Sequence, residues 1–113
     1  MVTKDFFIKS GDALIKFEID EVYFFFKKDN KVLAVFKDKN IEINSSLYNI
    51  SNLLGNDSSF IRTHKSFIVN KNKIKSIVKY TKNTYNIKFT GIKEEAFITQ
   101  NNLKLIKEDS LII

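Results

Sequence analysis

Ten short segments rich in Phe, Ile, Val and Tyr follow one another along this chain, separated by Asn, Asp, Lys or Gly. They cover residues 6–9, 15–19, 22–26, 32–37, 40–43, 60–63, 67–69, 74–80, 84–89 and 95–98. Each has the length and β-branched or aromatic content of a strand. Within the second, Ile15, Phe17 and Ile19 alternate with Lys16 and Glu18, the period-two pattern of a strand with one buried face. Strands this closely spaced predict an antiparallel, mainly β domain. Hairpin turns are expected at Asp29-Asn30, Lys82-Asn83 and Thr90-Gly91, because Asn and Gly tolerate positive φ.

One segment breaks the pattern. Leu47, Ile50, Leu53 and Leu54 recur at helical spacing, with Ser45 or Ser46 placed to cap the start and Gly55 to end it. This predicts one short amphipathic helix whose leucine stripe faces the core. A further helical turn is expected over 101–107, where Leu103 and Ile106 are three apart and Lys104 and Lys107 suit a helix C-terminus. No proline, repeat or low-complexity tract marks a boundary, so residues 1–113 read as a single domain with its core at about 5–107. A chain of 113 residues, 43% hydrophobic, is long enough to bury roughly two-thirds of its unfolded surface.

A net charge of +6 favours a polyanionic partner. Lys, Asn and Ile supply 46 of the residues, however, a bias that AT-rich codons would give any protein, so charge alone does not decide. The absence of cysteine excludes disulfides, thiolate zinc sites and thiol catalysis, and fits a cytoplasmic location. The longest apolar run, 22–26, is far below the ~20 residues needed to span a bilayer, so no membrane association is expected. The N-terminal residues, Met-Val-Thr-Lys-Asp-Phe-Phe-Ile-Lys, carry no stretch apolar enough for a signal peptide.

Hydrogen-bonding chemistry concentrates at 60–70, Phe-Ile-Arg-Thr-His-Lys-Ser-Phe-Ile-Val-Asn, where two apolar ends bracket five polar residues. Arg62 is the only arginine, His64 the only histidine, and Lys65 and Ser66 stand beside them. These donors suit phosphate oxygens and base edges. A solvated hairpin, with His64 bonded to backbone, accounts for the same residues equally well.

An enzyme finds little support. A lone histidine has no obvious second titrating partner, the acidic pairs Asp20-Glu21 and Glu94-Glu95 look like solvated strand edges, and the isolated glycines 11, 55 and 91 make no phosphate loop. No cofactor or metal is called for. Phe24, Phe25 and Phe26 offer rings for base stacking, but consecutive strand residues face opposite ways, so core packing is the better account.

The order Phe-x-Arg-x-His-Lys-Ser-Phe-hydrophobic-Val-Asn at 60–70 closely resembles the signature of LytTR-type DNA-binding domains of bacterial transcription regulators. The strand at 15–19, Asp20-Glu21-Val22, the helix at 47–54, Ile74-x-x-Ile77 and the segment 97–106 fall in the family's order. The resemblance implies small antiparallel sheets stacked side by side, with loops entering successive major grooves of double-stranded DNA. It implies base contacts from Asn30, Lys65 and Asn101, and backbone contacts from Lys31, Arg62, Ser66, Thr99, Asn102 and Lys104, with His64 as a candidate organiser of its loop. Lys suits guanine O6 and N7, and Asn suits adenine. Where many relatives carry Ser-Arg-Arg in the third loop, this chain has Thr99-Gln100-Asn101, so its base preference there is expected to differ.

The resemblance further implies a transcriptional regulator binding promoter direct repeats as two copies, either free-standing or as the effector of a two-component response regulator with an upstream receiver domain and a sensor kinase. Composition leaves two other readings open: a basic RNA or single-strand binder that uses exposed aromatics, and a protein-interaction module whose charge is genomic bias.

Overall fold

The computed structural model describes residues 5–55 and 58–113; residues 1–4 of the N-terminal segment read above lie outside them. Ten strands form three antiparallel sheets. β1 (Phe6–Ser10) and β2 (Ala13–Phe17) pair only with each other. The central sheet has the order β5-β4-β3-β7-β6, from β3 (Phe24–Lys28), β4 (Lys31–Val35), β5 (Asn40–Ile43), β6 (Phe60–His64) and β7 (Phe67–Asn70). The third sheet, β10-β9-β8, comprises β8 (Ile74–Lys79), β9 (Thr84–Phe89) and β10 (Ala96–Thr99). Two helices, α1 (Leu47–Leu54) and α2 (Leu103–Lys107), complete the chain.

β3 sits at the centre of the five-stranded sheet because its sequence suits burial on both faces. Phe25 packs on one side with Ala34, Ile68, Leu47 and Ile50, while Phe24 packs on the other with Val35, Val69, Ile87 and Ile98. A strand covered on both faces reads as a continuous apolar run instead of an alternation, which explains residues 22–26. Each fully buried Phe contributes roughly 1.5–3 kcal/mol. The first core is roofed by α1 and touched by the β1–β2 hairpin; the second is closed by the β8–β10 sheet and α2.

Two strands shift by two residues from their expected places, and the strand expected over 32–37 ends at Val35. The alternation that continues through Ile19 ends at Phe17, because Glu21 Oε1 accepts from the Glu18 backbone N–H at 3.0 Å and Glu21 N–H donates to Glu18 O at 2.9 Å. That reciprocal pair closes a 3-10 turn over Ile19–Glu21. The following strand accordingly starts at Phe24 and runs through Lys27 and Lys28, which pair with Val32 and Lys31. Asp20-Glu21 is therefore part of a cap and not a strand edge. Ile15 shares the core-facing side of the hairpin with Ile8 and Phe17 but lies at its rim, 42% exposed, while Leu14 on the opposite side is 68% exposed.

Helix α1 starts and stops where the sequence places it. Ser46 Oγ accepts from Asn49 N–H at 3.0 Å and Gly55 takes φ 75° beyond the last turn. Leu47 and Ile50 are buried and Leu54 packs beside them, but Leu53 is 73% exposed. At 100° per residue Leu53 falls well off the stripe that the other three define.

The turns differ among themselves. Asp29 and Asn30 both adopt positive φ, 52° and 63°, as a tight two-residue hairpin requires. Asn83 does not: the β8–β9 turn closes through Tyr80 and Thr81 N–H groups that both donate to Thr84 O at 3.0 Å. Thr90-Gly91 opens a longer connection to β10, with Gly91 at φ 91° and the space for a Cβ only 3.1 Å from the Tyr23 hydroxyl.

Candidate nucleic-acid interface

Strand register carries several loops to one end of the sheets. Lys27 and Lys28 pair with Val32 and Lys31, and Phe26 lies opposite Phe67, so the β3–β4 turn and the β6–β7 turn emerge side by side. Lys27 N–H donates to Ser66 O at 3.0 Å and fixes that adjacency. Ile43 lies opposite Val32, which brings the β5–α1 connection to the same end.

The β6–β7 turn is held from within. Its register shifts between Arg62 and His64, a bulge that leaves Thr63 without a partner across the pair. The Arg62 guanidinium donates from Nε to His64 O at 3.0 Å and from Nη2 to Lys65 O at 2.6 Å. Ser66 N–H donates to His64 Nδ1 at 3.1 Å, and the imidazole stands edge-on to Phe67 with ring centres 5.7 Å apart. Burial holds the His64 pKa below its ordinary value, and the positive charges of Lys65 and Arg62 push the same way. A neutral ring is what the Nδ1 acceptor needs. Lys65, the exposed residue of this braced turn, keeps its ammonium free among the described residues.

Thr63 joins this turn to the third loop. Fully buried at the bulge, it donates from Oγ1 to Phe97 O in β10 at 2.7 Å, and its own carbonyl accepts from Asn102 Nδ2 at 3.1 Å. Asn102 N–H in turn donates to Thr99 Oγ1 at 3.2 Å. The loop after β10 is thus pinned beside His64, with Asn101 exposed at its crest and Lys104 exposed on α2.

Asn30, Lys65 and Asn101 are therefore exposed residues on three neighbouring loops. Lys31 is exposed too, 3.9 Å from Glu42 on the next strand. Arg62, Thr99 and Asn102 are part-buried and already engaged in bracing, with some hydrogen-bonding capacity left over: a guanidinium has five N–H donors and Arg62 spends two. Ser66 is part-buried, its backbone N–H and carbonyl both bonded.

The first two loops and the β5–α1 connection enclose an open groove of about 600 Å³, lined in part by Lys27, Asn30, Lys31, Tyr48, Arg62 and Lys65. Sequence reasoning did not single out Lys27 or Tyr48. Tyr48, 73% exposed, lies next to buried Leu47 on the open side of α1, a position its helical phase reveals. Phe24 and Phe25 are buried and Phe26 packs on the second core, so the triple-Phe run offers no stacking platform.

The far end of the 60–70 motif behaves differently. Asn70, fully buried, donates from Nδ2 to Asp20 Oδ1 at 3.0 Å and to Val22 O at 2.9 Å. Its Oδ1 accepts from Ser59 Oγ at 2.9 Å and Asn72 N–H at 3.1 Å. The bond from Asn70 holds the Asp20 carboxyl below its ordinary pKa; partial burial opposes this, while Asn72 and Lys73 add to it.

Among the described residues no helix is long and apolar enough to cross a membrane, and no cluster of three or more His, Cys, Asp or Glu side chains could hold a metal ion. A solved LytTr DNA-binding domain, from a putative methyl-accepting/DNA response regulator of Bacillus cereus, superposes with a TM-score of 0.76 at 28% identity, covering 95% of this chain and 96% of that one. A stretch of 47 residues is 38% identical to the transcriptional regulatory protein NatR of Bacillus subtilis (strain 168), spanning 42% of this chain and 20% of that protein. The stacked small sheets expected from the sequence are the architecture observed, and the LytTr DNA-binding domain family matches residues 12–110, so this chain belongs to that family.

Proposed function

We propose that this chain reads double-stranded DNA for a bacterial transcriptional regulator, through the three loops gathered at one end of its sheets. The observation that carries this reading is the placement of exposed Asn30, Lys65 and Asn101 on separate braced loops that strand register makes neighbours. Loops that project from a rigid sheet enter successive major grooves, where Lys65 donates to guanine O6 and N7 and the asparagines pair with adenine. Lys31, Arg62, Ser66, Thr99, Asn102 and Lys104 hold the phosphate backbone and set register. The names of the two relatives, a transcriptional regulatory protein and a putative response regulator, support the regulatory setting. Two copies on promoter direct repeats, with a receiver domain upstream and a sensor kinase acting on it, complete the reading.

Selection of bound sequences from a random duplex pool, with titration across salt, tests it. Enrichment of a discrete, repeated motif with a steep salt dependence is the expected result. Salt-sensitive binding without enrichment reduces the chain to an electrostatic binder, and tighter binding to single strands than to duplex overturns the reading.

A further inference from the structure

The turn between β8 and β9 belongs to none of the three loops, yet the fold places it beside the third. Thr84 at its exit lies opposite Thr99, and Gln100 N–H donates to Asn83 O at 2.9 Å, so third loop and turn are bonded backbone to backbone. The turn itself is closed by the two bonds to Thr84 O described above, which makes it a defined shape. The side chains of residues 80–83 make no hydrogen bond among the described residues. Tyr80, Thr81, Lys82 and Asn83 are all exposed, and neither Lys82 nor neighbouring Lys79 joins an ion pair among the described residues. Residues 79–84, Lys-Tyr-Thr-Lys-Asn-Thr, contain no carboxylate that would repel a phosphate. Tyr80 is 64% exposed although its ring rests against Phe97, with centres 5.7 Å apart. An exposed aromatic with a hydroxyl tip, tilted against Phe97 and flanked by two free lysines, offers a partner both an apolar face and hydrogen-bonding chemistry.

We propose that the β8–β9 turn is a fourth DNA-contacting element that grips the sugar-phosphate backbone just outside the base pairs met by the third loop. This rests on the reading of that end of the sheets as the DNA-binding face. Lys82 supplies a cation to a phosphate oxygen, and the Tyr80 phenol and Asn83 amide supply neutral donors, the set that fixes position without reading sequence. A lysine ammonium is a compact point charge that needs no fixed orientation to meet a phosphate oxygen.

The test uses the whole chain, the duplex recovered from the random pool, and the same duplex trimmed in steps from each end. With Lys82→Ala the salt slope on the long duplex falls by about 0.9, so the affinity deficit against wild type changes about 3.5-fold between roughly 50 and 200 mM salt. On the duplex trimmed at the third-loop side the two proteins bind alike, because the phosphate is gone. Tyr80→Phe, which keeps the ring against Phe97 and removes the hydroxyl, gives a smaller loss with the same length dependence. Lys82→Ala binding like wild type on the long duplex at every salt concentration overturns the proposal, and it leaves the three-loop reading intact if Lys65→Ala still loses affinity. A deficit of equal size on both lengths overturns the flanking position. Wild-type protein that binds no duplex overturns both readings together.

Discussion

The middle and the end of one eleven-residue segment, 60–70, spend the same kind of chemistry in opposite directions. At Asn70 a single amide uses both donor hydrogens and both acceptor sites on four partners inside the protein. At Lys65, five residues earlier, the backbone carbonyl is claimed by Arg62 while the ammonium stays in solvent. A run of polar residues in a sequence thus marks two different things, a lock and a side chain left free in solvent, and only the neighbours in space tell them apart. The lock at Asn70 fixes where β7 ends against the turn at Ile19–Glu21; the brace at Arg62 fixes the turn that presents Lys65.

Asn70→Ala should have the largest effect. It leaves Val22 O buried without its donor, at ~1–3 kcal/mol, and removes three further bonds, to Asp20, Ser59 and Asn72, that solvent replaces in part, for a total loss of about 3 kcal/mol in stability. Chemical denaturation measures it. A midpoint unchanged from wild type would show that water replaces the amide and that the two sites are not so different.

Lys65→Ala should do the reverse. Stability stays within about 0.5 kcal/mol because the side chain has no protein partner. Discrimination at one base pair falls by ~1–3 kcal/mol, read by competition between cognate and singly substituted duplexes. Equal losses on cognate and scrambled DNA would move Lys65 from base reading to phosphate contact.

Much of this was legible in the residues and some of it was not. The tip at Asp29-Asn30 shows in sequence because only a few residue types accept two positive φ values, and the cap of α1 shows because Ser46 and Gly55 act within a turn of their own positions. Asn70 and Thr63 do not show, because their partners Asp20 and Phe97 are 50 and 34 positions away. Thr63 reads as one more donor in a polar stretch, yet it is the buried joint between two sheets. The exposure of Ile15 does not show for a related reason: alternation reveals which residues share a face, and not how far the cover over it extends.

Arg62→Ala sharpens the comparison, since this residue lies between lock and free side chain. Loss of two hydrogen bonds to turn carbonyls costs about 1 kcal/mol of stability, with solvent making good part of the loss at a half-exposed site. Affinity should fall alike on all sequences, from a lost phosphate contact and a looser turn. Faster amide exchange at Ser66 than in wild type would report the loosening. A change in preference at a single base pair would instead make Arg62 a reader of bases.

The smallest effect separates the two sites by pH. His64 has its folded pKa depressed below the ordinary 6.5, so between the two values the unfolded chain binds more protons than the folded one. Stability is then fully present above about pH 6.5, declines as the pH falls below it, and levels off below the folded pKa. Protonation at Nδ1 also removes the acceptor for Ser66 N–H and places a third cation beside Arg62 and Lys65. The lock responds elsewhere. Asp20 has its folded pKa depressed below 3.8, so its contribution persists through that range and is lost only as the pH falls through the lower folded value. Denaturation curves from pH 8 to 3 should show a shallow decline starting near 6.5 that His64→Gln abolishes, and a separate decline in stronger acid that it leaves alone. Stability that rises as the pH falls through 6.5 would mean that the folded chain prefers the imidazolium, with Nδ1 donating instead of accepting, and the account of how His64 orders the Lys65 turn would have to be reversed.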